Sequence, residues 1–177
     1  HSFPTRRSSD LKQCINLQLP ATRRKPQLSF TTCLQLQIGE AIQSIYSVHL
    51  ESHDEYIQDR KKQLETIINW QTTQHDNYII MGDLNAHNDQ DQANIESLSG
   101  VVDLWNKELL GFTFDGTTNT IVQQVYLNCE KRKMRLDRIL CGANSSWKVN
   151  KPVQLFGNET RPLATGTMSH GSDHYGL

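Results

Sequence analysis

A chain of 177 residues, 36% hydrophobic and 21% charged, is long enough to bury a core as one domain. Its formal charge of -1 excludes a partner held by bulk positive charge, so any nucleic-acid footprint must be local. No apolar run approaches the roughly 18 residues of a membrane span. The four cysteines, Cys14, Cys33, Cys129 and Cys141, lack C-x-x-C spacing and close histidine partners, which excludes a zinc site. They are read as free thiols rather than a disulfide, so a soluble protein of nucleus or cytoplasm is expected.

In chain order, the opening "HSFPTRRSSDL" has no apolar period and no starting Met. Residues 1–11 are read as a non-native leader and set aside, leaving 12–177 as one domain. Three extended stretches follow: "CINLQLP" from Cys14, "LSFTTCLQLQI" from Leu28 and "AIQSIYSVHL" from Ala41, the last two joined as a hairpin through Gly39-Glu40. In "SHDEYIQDRKKQLETIINW", Ile57, Leu64, Ile67 and Ile68 recur at helical spacing. The charges of that helix are read as a solvated face. Ser52 and Glu55 have capping-box spacing, which predicts a helix start close behind His49, where free N–H groups could hold a phosphate. "NYIIMGDLN" reads as a buried strand, "AHNDQDQANIES" as a polar loop, "GVVDLWNKELL" as a short helix and "FTFDGTTNT" as a turn-rich loop. "MRLDRILC" is a strand, "KPVQLFG" a weaker one, and "HYGL" the start of another. Strand runs joined by hairpins, with helices interspersed, predict a mixed α/β sandwich rather than a doubly wound parallel sheet.

Asp83 and Asn85 end the strand pattern two residues apart. Strand alternation would point both side chains to one face, where oxygen groups converge. "SDH" ends the last strand pattern and supplies Asp173 and His174. Carboxylate and carboxamide oxygens suit Mg²⁺, and histidine can carry charge or a proton near neutral pH. Asp137 in "RLDRIL" is the best carboxylate to stand behind His174 and fix its tautomer, although an ion pair with Arg135 or Arg138 is the simplest alternative for it.

"GDLN", "LDRI" and "SDHYGL", in this order, resemble the endonuclease/exonuclease/phosphatase superfamily. "HLES" at His49, "VVDLW" at Val101, "FTFD" at Phe112 and "RLDRI" at Arg135 narrow the resemblance to its 5′-tyrosyl-DNA phosphodiesterase branch. The resemblance implies a four-layered α/β sandwich of the DNase I-like type, here lacking its N-terminal part. The implied activity is Mg²⁺-dependent phosphodiester hydrolysis, with Mn²⁺ as an alternative ion, removing tyrosyl adducts from DNA 5′ ends; a monomer is expected. It further implies that one of Asp83 and Asn85 orients the attacking water while the other contacts phosphate. Asp173 would serve the metal site, His174 would offset transition-state charge, and His49 and Ser52 would touch the scissile phosphate. Phe114 stands where the branch usually has tryptophan. Arg135, with Lys131, Arg132 and Lys133, would give a positive edge for DNA unless these form a solvated loop. The family's early Asn and metal-ligating Glu have no match before His49: Glu40 lies in the Gly39-Glu40 turn, and Asn16 has no paired Glu after it. An abasic endonuclease or a nucleotide or lipid phosphatase would share these motifs, and a binding fragment without turnover would fit the missing Glu.

Overall fold

The computed structural model describes residues 10–20, 29–74, 77–104, 111–146 and 155–177. The three early extended stretches form β1 (Asp10–Leu19), β2 (Ser29–Ile38) and β3 (Ala41–His49). β1 therefore reaches two residues into the stretch set aside, with Asp10 opposite Gln37 and Leu11 opposite Leu36. The β2–β3 hairpin turns through Gly39, whose φ of 64° suits the first position of a tight two-residue turn.

A 3₁₀ turn (Asp54–Tyr56) leads into α1 (Ile57–Thr72). Next come β4 (Tyr78–Asp83), α2 (Asp89–Glu96), β5 (Val101–Asp103), β6 (Phe114–Asp115), α3 (Thr120–Val125), β7 (Lys133–Met134) and β8 (Asp137–Gly142). The hairpin of β9 (Arg161–Pro162) and β10 (Met168–Ser169) completes the described elements. Six strands make one sheet in the order β1-β2-β3-β4-β8-β5. β3 and β4 are parallel, joined by the α1 crossover, and the other neighbours are antiparallel. This mixed sheet is the predicted α/β arrangement.

One sheet face carries the main core, in which Tyr46, Val48, Ile80 and Leu140 meet Leu64, Ile67 and Ile68 of α1 and Ile95 of α2. The predicted helix periodicity is thus realised, but its polar half is not simply solvated. Arg60 is only 2% exposed. Its Nε and Nη2 donate to the two carboxylate oxygens of Asp91 at 2.9 and 2.8 Å, and Nη1 donates to the carbonyls of Glu51 and His53. Gln63 accepts from the Glu51 N–H, and the Tyr46 hydroxyl donates to Gln71. These side chains hold the loop before the helix in place of the expected capping box, for neither His53 nor Tyr56 makes a side-chain cap.

Two other expectations are corrected. The supposed polar loop contains α2, started by Asn88 accepting from the Asp91 N–H at 2.9 Å and anchored by Asp91 on Arg60. Where a helix was predicted, Val101–Asp103 is a strand paired to β8, because the ladder there outweighs the weak helical pattern. Trp105 and the rest of 105–110 lie outside the described residues, as does most of "KPVQ". "HYGL" makes a single bridge, Phe156 to Gly176, rather than a strand. All four cysteines are free, and no helix among the described residues is long and apolar enough to cross a membrane.

Candidate active site

Register assembles the site. His49 at the end of β3 lies opposite Asp83 at the end of β4, and Asp83 lies opposite Asp137 at the start of β8. Three chemistry-bearing residues thus stand abreast on three neighbouring strands, at one edge of the sheet. Gly82 permits the approach: at φ 130° a Cβ there would meet the Val48 carbonyl oxygen at 2.2 Å. Only glycine fits that position without moving backbone.

Asp83 and Asn85 converge, though not by strand alternation. β4 stops at Asp83, and Asn85 turns into the left-handed region with φ 51°, which asparagine tolerates better than most residues. The Asn85 N–H donates to Asp83 Oδ1 at 2.8 Å, and its carboxamide donates to the Leu50 carbonyl at 3.0 Å. Between them Leu84 is fully buried and pins the turn to the core. Burial raises the Asp83 pKa above the usual carboxylate range, a shift that the Asn85 N–H and the nearby His174 reduce without reversing.

Asp137 holds His174, whose Nδ1 lies 2.7 Å from Asp137 Oδ2. The expected tautomer-fixing carboxylate is therefore in place, and the alternative ion pair is not formed. Arg138 and Arg135 turn to Asp103 instead, at 2.7 and 3.6 Å. Burial alone would lower the His174 pKa, but the Asp137 hydrogen bond and the charges of Asp137, Asp83 and Asp173 outweigh it and leave the imidazole above its usual range. The Phe114 ring meets the His174 ring edge-on at 5.6 Å and Tyr126 at 5.8 Å. Tyr126 donates its hydroxyl to Asp173 Oδ2 at 2.6 Å. That bond and the nearby His174 outweigh burial and keep the Asp173 pKa low.

The remaining predicted residues are less engaged. His49 is 72% exposed and stands 3.6 Å from Asp83. Ser52 is half-buried on the loop after β3, its N–H on Glu51 Oε1. Lys131 and Arg132 are exposed, while Lys133 pairs with Asp115 at 3.6 Å.

Sequence reasoning passed over several supporting residues. Thr113 Oγ1 accepts from the N–H groups of Leu136 and Asp137, and its carbonyl accepts from Tyr175, which ties the start of β8 to the His174 loop. Asn119 caps α3 and donates to the Ser172 carbonyl at 2.9 Å. Buried His170 accepts from the Thr120 N–H at 3.1 Å. For Asn119 a signal existed, an Asn-Thr pair ahead of an apolar run; for Thr113 and Tyr126 there was none.

The Mg²⁺ or Mn²⁺ implied by the resemblance meets a poor donor set. Among the described residues no three His, Cys, Asp or Glu groups are placed to hold a metal ion. Asp137 is engaged by His174, and Asp173 by Tyr126 and Ser172. These residues do not fit a divalent cation, so no chemical step is routed through one.

No family model matches this chain, and no curated protein does. Solved structures do match. TDP2 from D. rerio, complexed with single strand DNA product, aligns with TM-score 0.69 at 21% identity over 93% of this chain and 65% of that one. Truncated TDP2 from Caenorhabditis elegans aligns with TM-score 0.70 at 20% identity, over 96% and 64%. SmcL aligns with TM-score 0.66 at 15% identity, over 94% and 64%. The chain thus spans less than two thirds of the length of these structures. Its fold is theirs, the DNase I-like α/β fold.

Proposed function

We propose that this DNase I-like chain is a phosphodiester hydrolase acting at DNA 5′ ends, with a tyrosyl adduct as the leaving group. The observation that carries this reading is the sheet-edge cluster in which Asp83, Asp137 and the Asp137-held His174 meet. Asp83, oriented by the Asn85 N–H, holds the attacking water and accepts its proton. His174, kept cationic by Asp137, offsets charge on the phosphoryl oxygens in a site shielded from bulk water. The Phe114 edge and the Tyr126–Asp173 bond hold the imidazole and its loop in position, so the charge is preorganised rather than gathered during reaction. Likeness to the D. rerio structure bearing single strand DNA product supports the DNA assignment.

A substrate panel tests the assignment: a 5′-tyrosyl oligonucleotide, an abasic duplex and a phospholipid headgroup ester, each with Mg²⁺, with Mn²⁺ and with chelator. Release of tyrosine from the first at a rate well above cleavage of the others is expected. Preferential cleavage of another member would overturn the tyrosyl assignment and leave the hydrolase reading intact. A second reading, DNA binding without turnover, is favoured by the donor set that does not fit a metal; binding of the oligonucleotide with no product under any condition would establish it.

A further inference from the structure

The two ester arms of a phosphodiester diverge from phosphorus, and two separate cavities flank the cluster. One, of about 370 Å³, is lined by Asn85, Phe114, Tyr126, Arg132 and Leu136 among others. The second, of about 420 Å³, is lined by Asp137, His174, Tyr175, Phe156, Glu159 and Arg161 among others. The two share no lining residue, and the Phe114–His174 ring contact stands between them.

In-line displacement sends the leaving oxygen away from the attacking water. The water belongs to the Asp83–Asn85 turn, and Asn85 opens on the first cavity. His174, the group able to protonate a departing oxygen, opens on the second. The geometry points to the second cavity as the subsite for the leaving arm, an aromatic amino acid or peptide linked through its phenol oxygen. This rests on the hydrolase reading above. The balance is complete: water oxygen bonds to phosphorus and its proton passes to Asp83. The P–O(phenol) bond breaks with its electron pair on oxygen, which takes a proton from His174.

The walls suit that occupant. Phe156 and Tyr175 offer ring surface, while Glu159 and Arg161 offer opposite charges to a backbone ammonium and carboxylate. The Phe156 ring is built in rather than incidental. Its backbone bridges Gly176 in both directions, at 3.0 and 2.9 Å, and its ring occupies the space that a Cβ on Gly176 would need, at 2.2 Å.

Equilibrium binding of two single-stranded oligonucleotides tests this, one 5′-tyrosylated and one bearing a plain 5′-phosphate. Wild type should bind the tyrosyl form about tenfold tighter, the scale of one aromatic contact. Phe156→Ala and Arg161→Ala should bring that ratio towards one while leaving affinity for the plain phosphate within about twofold. Phe156 is 61% exposed and Arg161 is exposed, so neither truncation opens the core. Arg132→Ala, in the other cavity, should weaken both forms in parallel. A ratio that survives both variants overturns the subsite, as does a wild type that binds the phosphate form without preferring the tyrosyl one; both leave the hydrolase reading standing. Binding of neither form overturns that reading and the subsite with it.

Discussion

His174 and Asp83 both have pKa values displaced upward, for different reasons and with different consequences for pH. His174 is raised because Asp137, Asp83 and Asp173 more than offset its burial. The native state therefore holds this proton more tightly than the unfolded chain. Its contribution to stability is full below the ordinary histidine range and is lost as pH rises through the raised folded value. Proton NMR titration of the His174 ring should give a midpoint above that range, and Asp137→Asn should bring it down; an unmoved midpoint would remove Asp137 from its role. Asp83 is raised by burial, so its ionised form is the one the fold disfavours. Stability from this group increases as pH falls through its folded value. Asp83→Asn, which keeps an acceptor for the Asn85 N–H, should unfold at the wild-type temperature or above it. Because turnover needs Asp83 ionised and His174 protonated, the pH–rate profile should be a bell. Its acid limb should lie above the ordinary carboxylate range and its alkaline limb above the ordinary histidine range.

At the scale of elements, α1 joins core to site through side chains that periodicity alone assigns to solvent. Arg60 binds α2 through Asp91 and carries the carbonyls of Glu51 and His53 in the loop that follows the catalytic end of β3. With the two side chains 2% and 3% exposed, removing one partner strands a buried charge, so Arg60→Met should cost about 3–5 kcal/mol in urea unfolding. The double change Arg60→Met with Asp91→Leu should recover most of that loss, and failure to do so would shift the weight to the loop carbonyls. Gly82→Ala should be at least as damaging, since its Cβ would meet a backbone carbonyl rather than a side chain able to move. The strands and α1 were legible because long periodic runs dominate there. α2 and β5 were not, because Asp91 acquires its value only from Arg60, 31 residues away, and the three residues of β5 from pairing with β8.

For the whole molecule, a mixed sheet brings "HLES", "GDLN" and "RLDRI" to one edge, and the loop after β10 lays "SDH" across it. Those motifs were legible because each ends or begins a strand pattern. The support was not: Thr113, Asn119 and Tyr126 join the site through contacts that no spacing in the chain announces. The same limit applies to the way Asp83 and Asn85 converge, which depends on a left-handed turn rather than on strand alternation. The central claim is that this sheet edge is a reaction centre. The measurement that tests it most directly is the single-turnover cleavage rate of a 5′-tyrosyl oligonucleotide by Asp83→Asn against wild type, with thermal unfolding recorded on the same samples. A fall of at least about a hundredfold in a variant that unfolds no earlier is expected. A rate within about threefold of wild type would contradict the account.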